Sequence, residues 1–240
     1  HKPSLVAGHY KAMATLNVAT LSPGKFDSPE LEFFVAGPRF SLSPNEIQAI
    51  FPPRDSLGEY DNVLPHIELT RSTIPWERAA SDIPRDNTPW LGLILLQADE
   101  LLDAAKVNVS KMQWPDLRLS LGLDEEPSDH ADAGEQALPD VKVLNIESSF
   151  LQTILPSAAD LTGLTHVRVG VDAQGVDPIA IGFERAVLVC NRLPKAGITA
   201  EVHLVSFEGR FNAAGFDLTK GVADGKVKLL SLSSWQFSCP

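Results

Sequence analysis

Three histidines occupy positions from which they could act with carboxylates in metal chemistry. His66 precedes Glu68 by two residues, Glu201 precedes His203 by two, and His166 lies on the polar phase of a third alternating segment. Residues two apart in a strand project to the same face of a sheet. If these strands were neighbours, the side chains could bind zinc or iron, so a metal-dependent enzyme is one alternative function.

The polar phase of a strand is also where ordinary solvent-facing histidines lie, and this interpretation predicts no bound metal and no cofactor. The sequence contains no Gly-x-Ser-x-Gly, His-Glu-x-x-His, Cys-x-x-Cys or Gly-x-Gly-x-x-Gly motif. Those motifs mark nucleophilic hydrolases, zinc proteases, redox or metal sites and dinucleotide binding. We therefore expect a non-catalytic protein, and a binding or assembly module is the function that we favour.

The sequence has only two cysteines, Cys190 and Cys239. Cys190 ends the apolar run 186–190, which predicts a buried, reduced thiol with a raised pKa and low reactivity. A disulfide bond between the two cysteines is the alternative, and it would place the protein in an oxidising compartment.

The segment 37–90 has the most distinctive composition, because its prolines repeatedly stand next to aromatic residues or arginines. Proline fixes the local backbone, and tryptophan and arginine contribute most to the energy of protein contacts. We therefore predict that Arg54, Trp76, Arg78 and Trp90 bind a protein partner or a second copy of the chain. In the competing interpretation, the aromatic side chains fill the core.

Carbohydrate binding is a second alternative function. It would require Trp76, Trp90, Trp114 or Trp235 to lie on one open face, where their rings could stack on sugars. Such rings must be exposed in the free protein, so their burial decides between this alternative and a role in the core.

Charge and hydrophobicity exclude several classes of partner. The 240 residues include 20 Lys and Arg against 31 Asp and Glu, which gives a formal charge of −11. Without a basic stripe, we expect no binding to nucleic acid. No apolar run approaches the ~20 residues of a membrane-spanning helix. We expect a soluble protein, with a secreted or extracellular location slightly favoured, and the ends at His1 and Pro240 suggest a fragment of a longer protein or particle subunit.

Hydrophobic periodicity predicts a mainly β fold with a few short helices, either β-sandwich-like or a mixed β-rich α+β arrangement. Alternating or strand-like segments lie at 12–18, 31–35, 63–71, 165–171, 198–204 and 227–237. Continuous apolar runs at 90–96 and 186–190 predict central strands that are buried on both faces. Capping signals predict helices from Ser43 and from Ser148 or Ser149, and weaker patterns predict them at 97–107 and 157–161.

The stretch 116–140 is rich in acidic residues interrupted by proline, glycine and serine. This composition predicts an exposed acidic loop or linker that makes no partner contacts. It would separate a β-rich N-terminal half, 1–115, from a β-rich C-terminal half, 141–240. A single continuous domain is the alternative organisation.

Overall fold

The computed structural model describes residues 3–17, 25–27, 30–81, 87–126, 140–170 and 184–240, with the side chains of 15–17 and 25–27 left out. The strands within these residues are β1 (Gly8–Ala12), β2 (Thr15–Asn17), β3 (Lys25–Asp27), β4 (Leu31–Val35), β5 (Ile47–Phe51), β6 (His66–Leu69), β7 (Leu91–Gln97), β8 (Val107–Gln113), β9 (Asp140–Glu147), β10 (Thr165–Val169), β11 (Glu184–Val189), β12 (Thr199–Ser206), β13 (Phe211–Asn212), β14 (Gly215–Phe216), β15 (Val222–Ala223) and β16 (Lys226–Ser238). The helices are α1 (Ala98–Leu101), α2 (Trp114–Leu121), α3 (Ser148–Ile154) and α4 (Ala158–Leu164), with short 3-10 turns at Pro44–Glu46 and Ile74–Trp76. The fold is mainly β with few short helices, as predicted.

The larger sheet has six antiparallel strands in the order β7-β12-β16-β9-β8, with β15 paired to the start of β16. All seven residues of β7 are buried, as the apolar run predicts. The strand is nevertheless at one end of the sheet rather than in its centre. The chain that follows β11 covers its outer edge, where Arg192 donates to the Leu95 carbonyl at 2.7 Å.

The smaller sheet has the strand order β10-β11-β6-β5. Here the apolar run at 186–190 does form a central strand, since β11 lies between β10 and β6. Residues of this sheet, such as Ile67 and Leu188, belong to the same buried cluster as Leu93 and Leu204 of the larger sheet. The two sheets therefore share one hydrophobic core.

Strands from both predicted halves of the chain build each large sheet. The six-stranded sheet combines β7 and β8 with strands that follow residue 140, and the four-stranded sheet combines β5 and β6 with β10 and β11. The acidic stretch therefore does not separate two sheets.

The prediction of an exposed loop over 116–140 is wrong for its first part. Helix α2 covers residues 114–121 and buries Trp114, Leu117 and Leu121. These side chains pack with Val143 and Leu230 on one face of the larger sheet. Residues 127–139 lie outside the described part of the chain.

Local capping signals were informative about where helices begin but not about how far they continue. Ser43 and Glu46 form the predicted capping box, yet only a 3-10 turn follows. The next residues pair with β6 as strand β5, because this pairing satisfies their backbone groups in the sheet. The predicted helix at 97–107 is likewise limited to α1, whereas α3 and α4 form as predicted.

Candidate interaction site

The structure places the four predicted contact residues in very different environments. Trp90 is 0% exposed and Arg78 is 3% exposed, so neither side chain is accessible to a partner in this structure. Arg54 is exposed and donates to the Ser234 carbonyl at 2.9 Å. Trp76 is half-buried, and its indole N–H donates to the Asn87 carbonyl at 2.9 Å. Partner contacts through Arg54 and Trp76 stay a prediction, while Arg78 and Trp90 belong to the interior.

The tryptophans do not build an open stacking platform. Trp90, Trp114 and Trp235 are all buried. The Trp90 indole donates to the Ile74 carbonyl at 2.6 Å, which fixes the ring within the core. Because a sugar platform needs open ring faces, these three residues do not support carbohydrate binding.

The strand histidines do not converge. His66 and His166 lie in the smaller sheet on opposite sides of β11, and His203 lies in the larger sheet. Glu68 forms an ion pair with Arg185 at 2.9 Å. Within the described ranges, no group of three or more His, Cys, Asp or Glu side chains could hold a metal ion.

His203 forms a buried polar cluster with residues on three adjacent strands. Its Nδ1 lies 3.0 Å from the Ser231 hydroxyl, and its Nε2 lies 3.3 Å from a carboxylate oxygen of Glu201 without hydrogen-bond geometry. Lys142 donates to the same carboxylate at 3.1 Å and to the Ser234 hydroxyl at 2.8 Å. The pKa of His203 is lowered to about 4, chiefly because burial disfavours the imidazolium.

Ser231, His203 and the Glu201 carboxylate follow one another as the members of a catalytic triad do. Both Ser231 and His203 are buried, however, so a substrate has no approach to the hydroxyl. The cluster instead pairs buried polar groups beside the irregular pairing of β12 and β16 at Leu204 and Val205, with His203 Nε2 left without a hydrogen bond.

A second buried network explains the position of Arg78. Its guanidinium donates to Glu126 at 2.6 Å and to Glu208 at 3.1 Å. Arg39 also pairs with Glu208, at 3.3 Å, and lies over the Trp114 ring at 5.3 Å from the centroid. Burial lowers the pKa of Arg78, but Glu208 and Glu126 more than offset that effect, so its pKa is raised. The network joins four distant chain segments and is internal.

The two cysteines are both free and buried. Burial raises the pKa of Cys190 to about 11, and its thiol lies 3.9 Å from the Leu93 carbonyl of β7 in the larger sheet. A protonated thiol is a poor nucleophile, so the geometry gives Cys190 a packing role.

The N-terminal residues form an antiparallel ribbon outside both large sheets. Strand β1 pairs only with β4, and β2 pairs only with β3, among the described strands. The β2–β3 pairs continue the β1–β4 pairs with the register shifted by one residue. No other described element makes more than marginal contact with them. We call this ribbon, residues 8–17, 25–27 and 30–35, the N-terminal arm.

The base of the arm has two chemically distinct faces. Alternation places Tyr10 and Ala12 opposite Phe33 and Leu31 on one face, together with Val35. This apolar face is open, with Leu31 63% and Phe33 37% exposed. Tyr10 and Phe33 stack across the strands with their ring centroids 5.7 Å apart.

The other face of the arm carries charged side chains together with Phe34, which pairs with His9. Lys11 on β1 lies 2.6 Å from Glu32 and 3.3 Å from Glu30 on the β4 side, and His9 lies 3.7 Å from Glu32. All of these groups are about half exposed, so the pairs add little to stability. The arm is therefore amphipathic.

The arm joins the body beside a shallow groove of about 260 Å³. Leu5, Val35 and Pro38 give the groove an apolar lining, and Arg71 and Glu77 supply its charged side. The Ala7 amide donates to the Glu77 carbonyl at 2.6 Å, which ties the start of β1 to the body. The Glu77 carboxylate accepts from Arg71 at 2.8 Å and from Thr73 at 2.6 Å, so its charge is already compensated.

No protein-family model, curated protein or solved structure matches this chain. Among the described helices, none is long and apolar enough to cross a membrane. The side chains of His203, Arg78 and Cys190 are buried, whereas the arm presents an open apolar face.

Proposed function

We propose that the protein is a non-catalytic assembly module that binds a protein partner through the apolar face of its N-terminal arm. One observation carries the proposal: Leu31, Phe33 and Tyr10 line one face of a two-stranded ribbon that belongs to neither large sheet. An isolated two-stranded ribbon is marginally stable in water, and it gains stability when something packs on its apolar face.

The energetics of the exposed side chains favour association. Burying a large apolar side chain contributes about 1.5–3 kcal/mol, and aromatic residues dominate many interfaces. Leu31 and Phe33 are both exposed and adjacent on the same strand face. A partner that covered them would gain several kcal/mol from this small area before the cost of association.

The charge distribution also suits a contact. The arm contains two Lys against three Asp or Glu, so its formal charge is −1 and most of the chain's charge of −11 belongs to the remainder. The arm can therefore approach another protein with little net repulsion of its own.

A pair of matched double variants tests the proposal. Leu31→Ser with Phe33→Ser removes the apolar face of the arm, whereas Leu102→Ser with Leu119→Ser removes residues that are 86% and 67% exposed elsewhere. We expect the arm variant to lower the affinity of the complex recovered from the source cells, or of self-association in sedimentation, by about tenfold or more. The control variant should behave as the wild type.

Both variants should keep the melting temperature within about 2 °C of the wild type, since exposed substitutions change stability little. Equal association of the arm variant and the control would overturn the proposal. So would a large loss of melting temperature in the arm variant alone, because that result would mean that the face packs on its own chain.

A further inference from the structure

The arm has two open edges of opposite charge. In the described part of the chain, no strand pairs with the outer edge of β1 or with that of β4. The lysine of the face that carries the charged side chains, Lys11, lies on β1, and the acidic residues, Glu30 and Glu32, lie on the β4 side. Open edges carry unpaired backbone groups that can add a further strand.

We propose that the partner of the arm is a second copy of this chain, bound head to tail. The β4 edge of one copy pairs with the β1 edge of the next, and this inference rests on the proposed function. Because β1 and β4 are antiparallel within a copy, antiparallel addition repeats the same strand order from copy to copy. Lys11 and Glu32 then alternate along one face, and Tyr10 and Phe33 alternate along the other.

Charge complementarity favours this arrangement over a two-fold symmetric dimer. Pairing two β1 edges would place basic residues beside basic residues, and pairing two β4 edges would place carboxylates beside carboxylates. Like charges directly opposite one another destabilise a sheet, whereas opposite charges stabilise it. A head-to-tail contact leaves one free edge at each end, so it leads to a ring or an open chain of copies.

A charge-swapped arm tests the direction of the contact. The triple variant Lys11→Glu, Glu30→Lys and Glu32→Lys keeps opposite charges across each arm but exchanges the two edges. We expect the variant to associate with itself about as strongly as the wild type does. Mixed with the wild type, it should form cross-contacts about tenfold more weakly than either protein forms with itself at low ionic strength. Added salt should narrow this difference.

Sedimentation of each protein and energy transfer between differently labelled wild type and variant give the two measurements. Stronger association in the mixture than in either pure protein would overturn the head-to-tail contact, since that result is expected for a symmetric contact of like edges. A wild-type chain that stays monomeric at high concentration would also overturn it. In that case, a complex with a different protein that is lost in the Leu31→Ser, Phe33→Ser variant would still support the proposed function. Absence of both complexes would overturn the two proposals together.

Discussion

Replacing Arg78 by methionine should lower the free energy of unfolding by about 3–5 kcal/mol, because it breaks a buried charge network from one side. Methionine fills much of the same volume but cannot donate to Glu126 or Glu208. Arg39, which lies 3.7 Å from Glu126 and 3.3 Å from Glu208, would remain beside both carboxylates. Urea unfolding of the purified variant measures the change.

Arg54→Met is the matched control for this prediction. Arg54 is exposed and makes a hydrogen bond to the Ser234 carbonyl, so its loss should cost less than about 1 kcal/mol. Similar stability in the two variants, combined with lost association only in Arg78→Met, would show that Arg78 is a contact residue after all. If the network is internal, Arg78→Met should be much less stable than Arg54→Met, and neither substitution should specifically weaken association.

Acidification from pH 7.5 to about 4.5 should destabilise the protein by about 2–3 kcal/mol through His203 alone. The pKa of His203 is lowered from 6.5 to about 4 in the folded state. Between these values the unfolded chain binds the proton and the folded chain does not. The contribution of neutral His203 to stability is therefore complete above its pKa in the unfolded chain, and it is lost as the pH falls through this window.

His203→Gln isolates this effect, since an amide keeps a polar group near Ser231 but does not titrate in this range. The wild type should lose about 2–3 kcal/mol more stability than the variant over the same pH interval in urea unfolding. Parallel pH dependences of the two proteins would contradict the buried, neutral state of His203.

The sequence was most informative where local pattern decides the structure. The apolar run at 186–190 predicted the central strand β11, and the strand-like pattern at 31–35 predicted β4 with its observed bounds. The weak helical pattern at 157–161 predicted the start of α4, and Ser157 caps this helix in the structure. The apolar run at 90–96 correctly indicated burial on both faces of β7 but not its place at the end of the sheet.

The interior of the candidate site could not be predicted in this way. Arg78 meets Glu126 and Glu208 across 48 and 130 residues of sequence, so no local pattern reveals that its charge is compensated. Proline-flanked tryptophan and arginine have the composition of an interface, and the same residues also suit a core. Which of these two applies depends on the segments that cover them.

The arm was visible in the sequence only in part. The pattern at 31–35 predicts a strand, but Phe34 shares the phase of Glu32, so the sequence does not separate an apolar from a charged face. The same pattern is expected of a strand that packs on its own core. Only the strand pairing shows that β1 and β4 lie outside both large sheets and that their apolar face is open.

Photo-cross-linking from position 33 tests the central claim most directly. A benzophenone amino acid in place of Phe33 puts the reactive group on the apolar face of the arm, and the same residue in place of Leu119 provides a control on exposed surface of α2. Irradiation in the source cells should give one dominant adduct between position 33 and a second protein chain, and no comparable adduct from position 119. Adducts from position 33 that join only residues of the same chain, or none above the control, would contradict the assignment of the arm as the association surface.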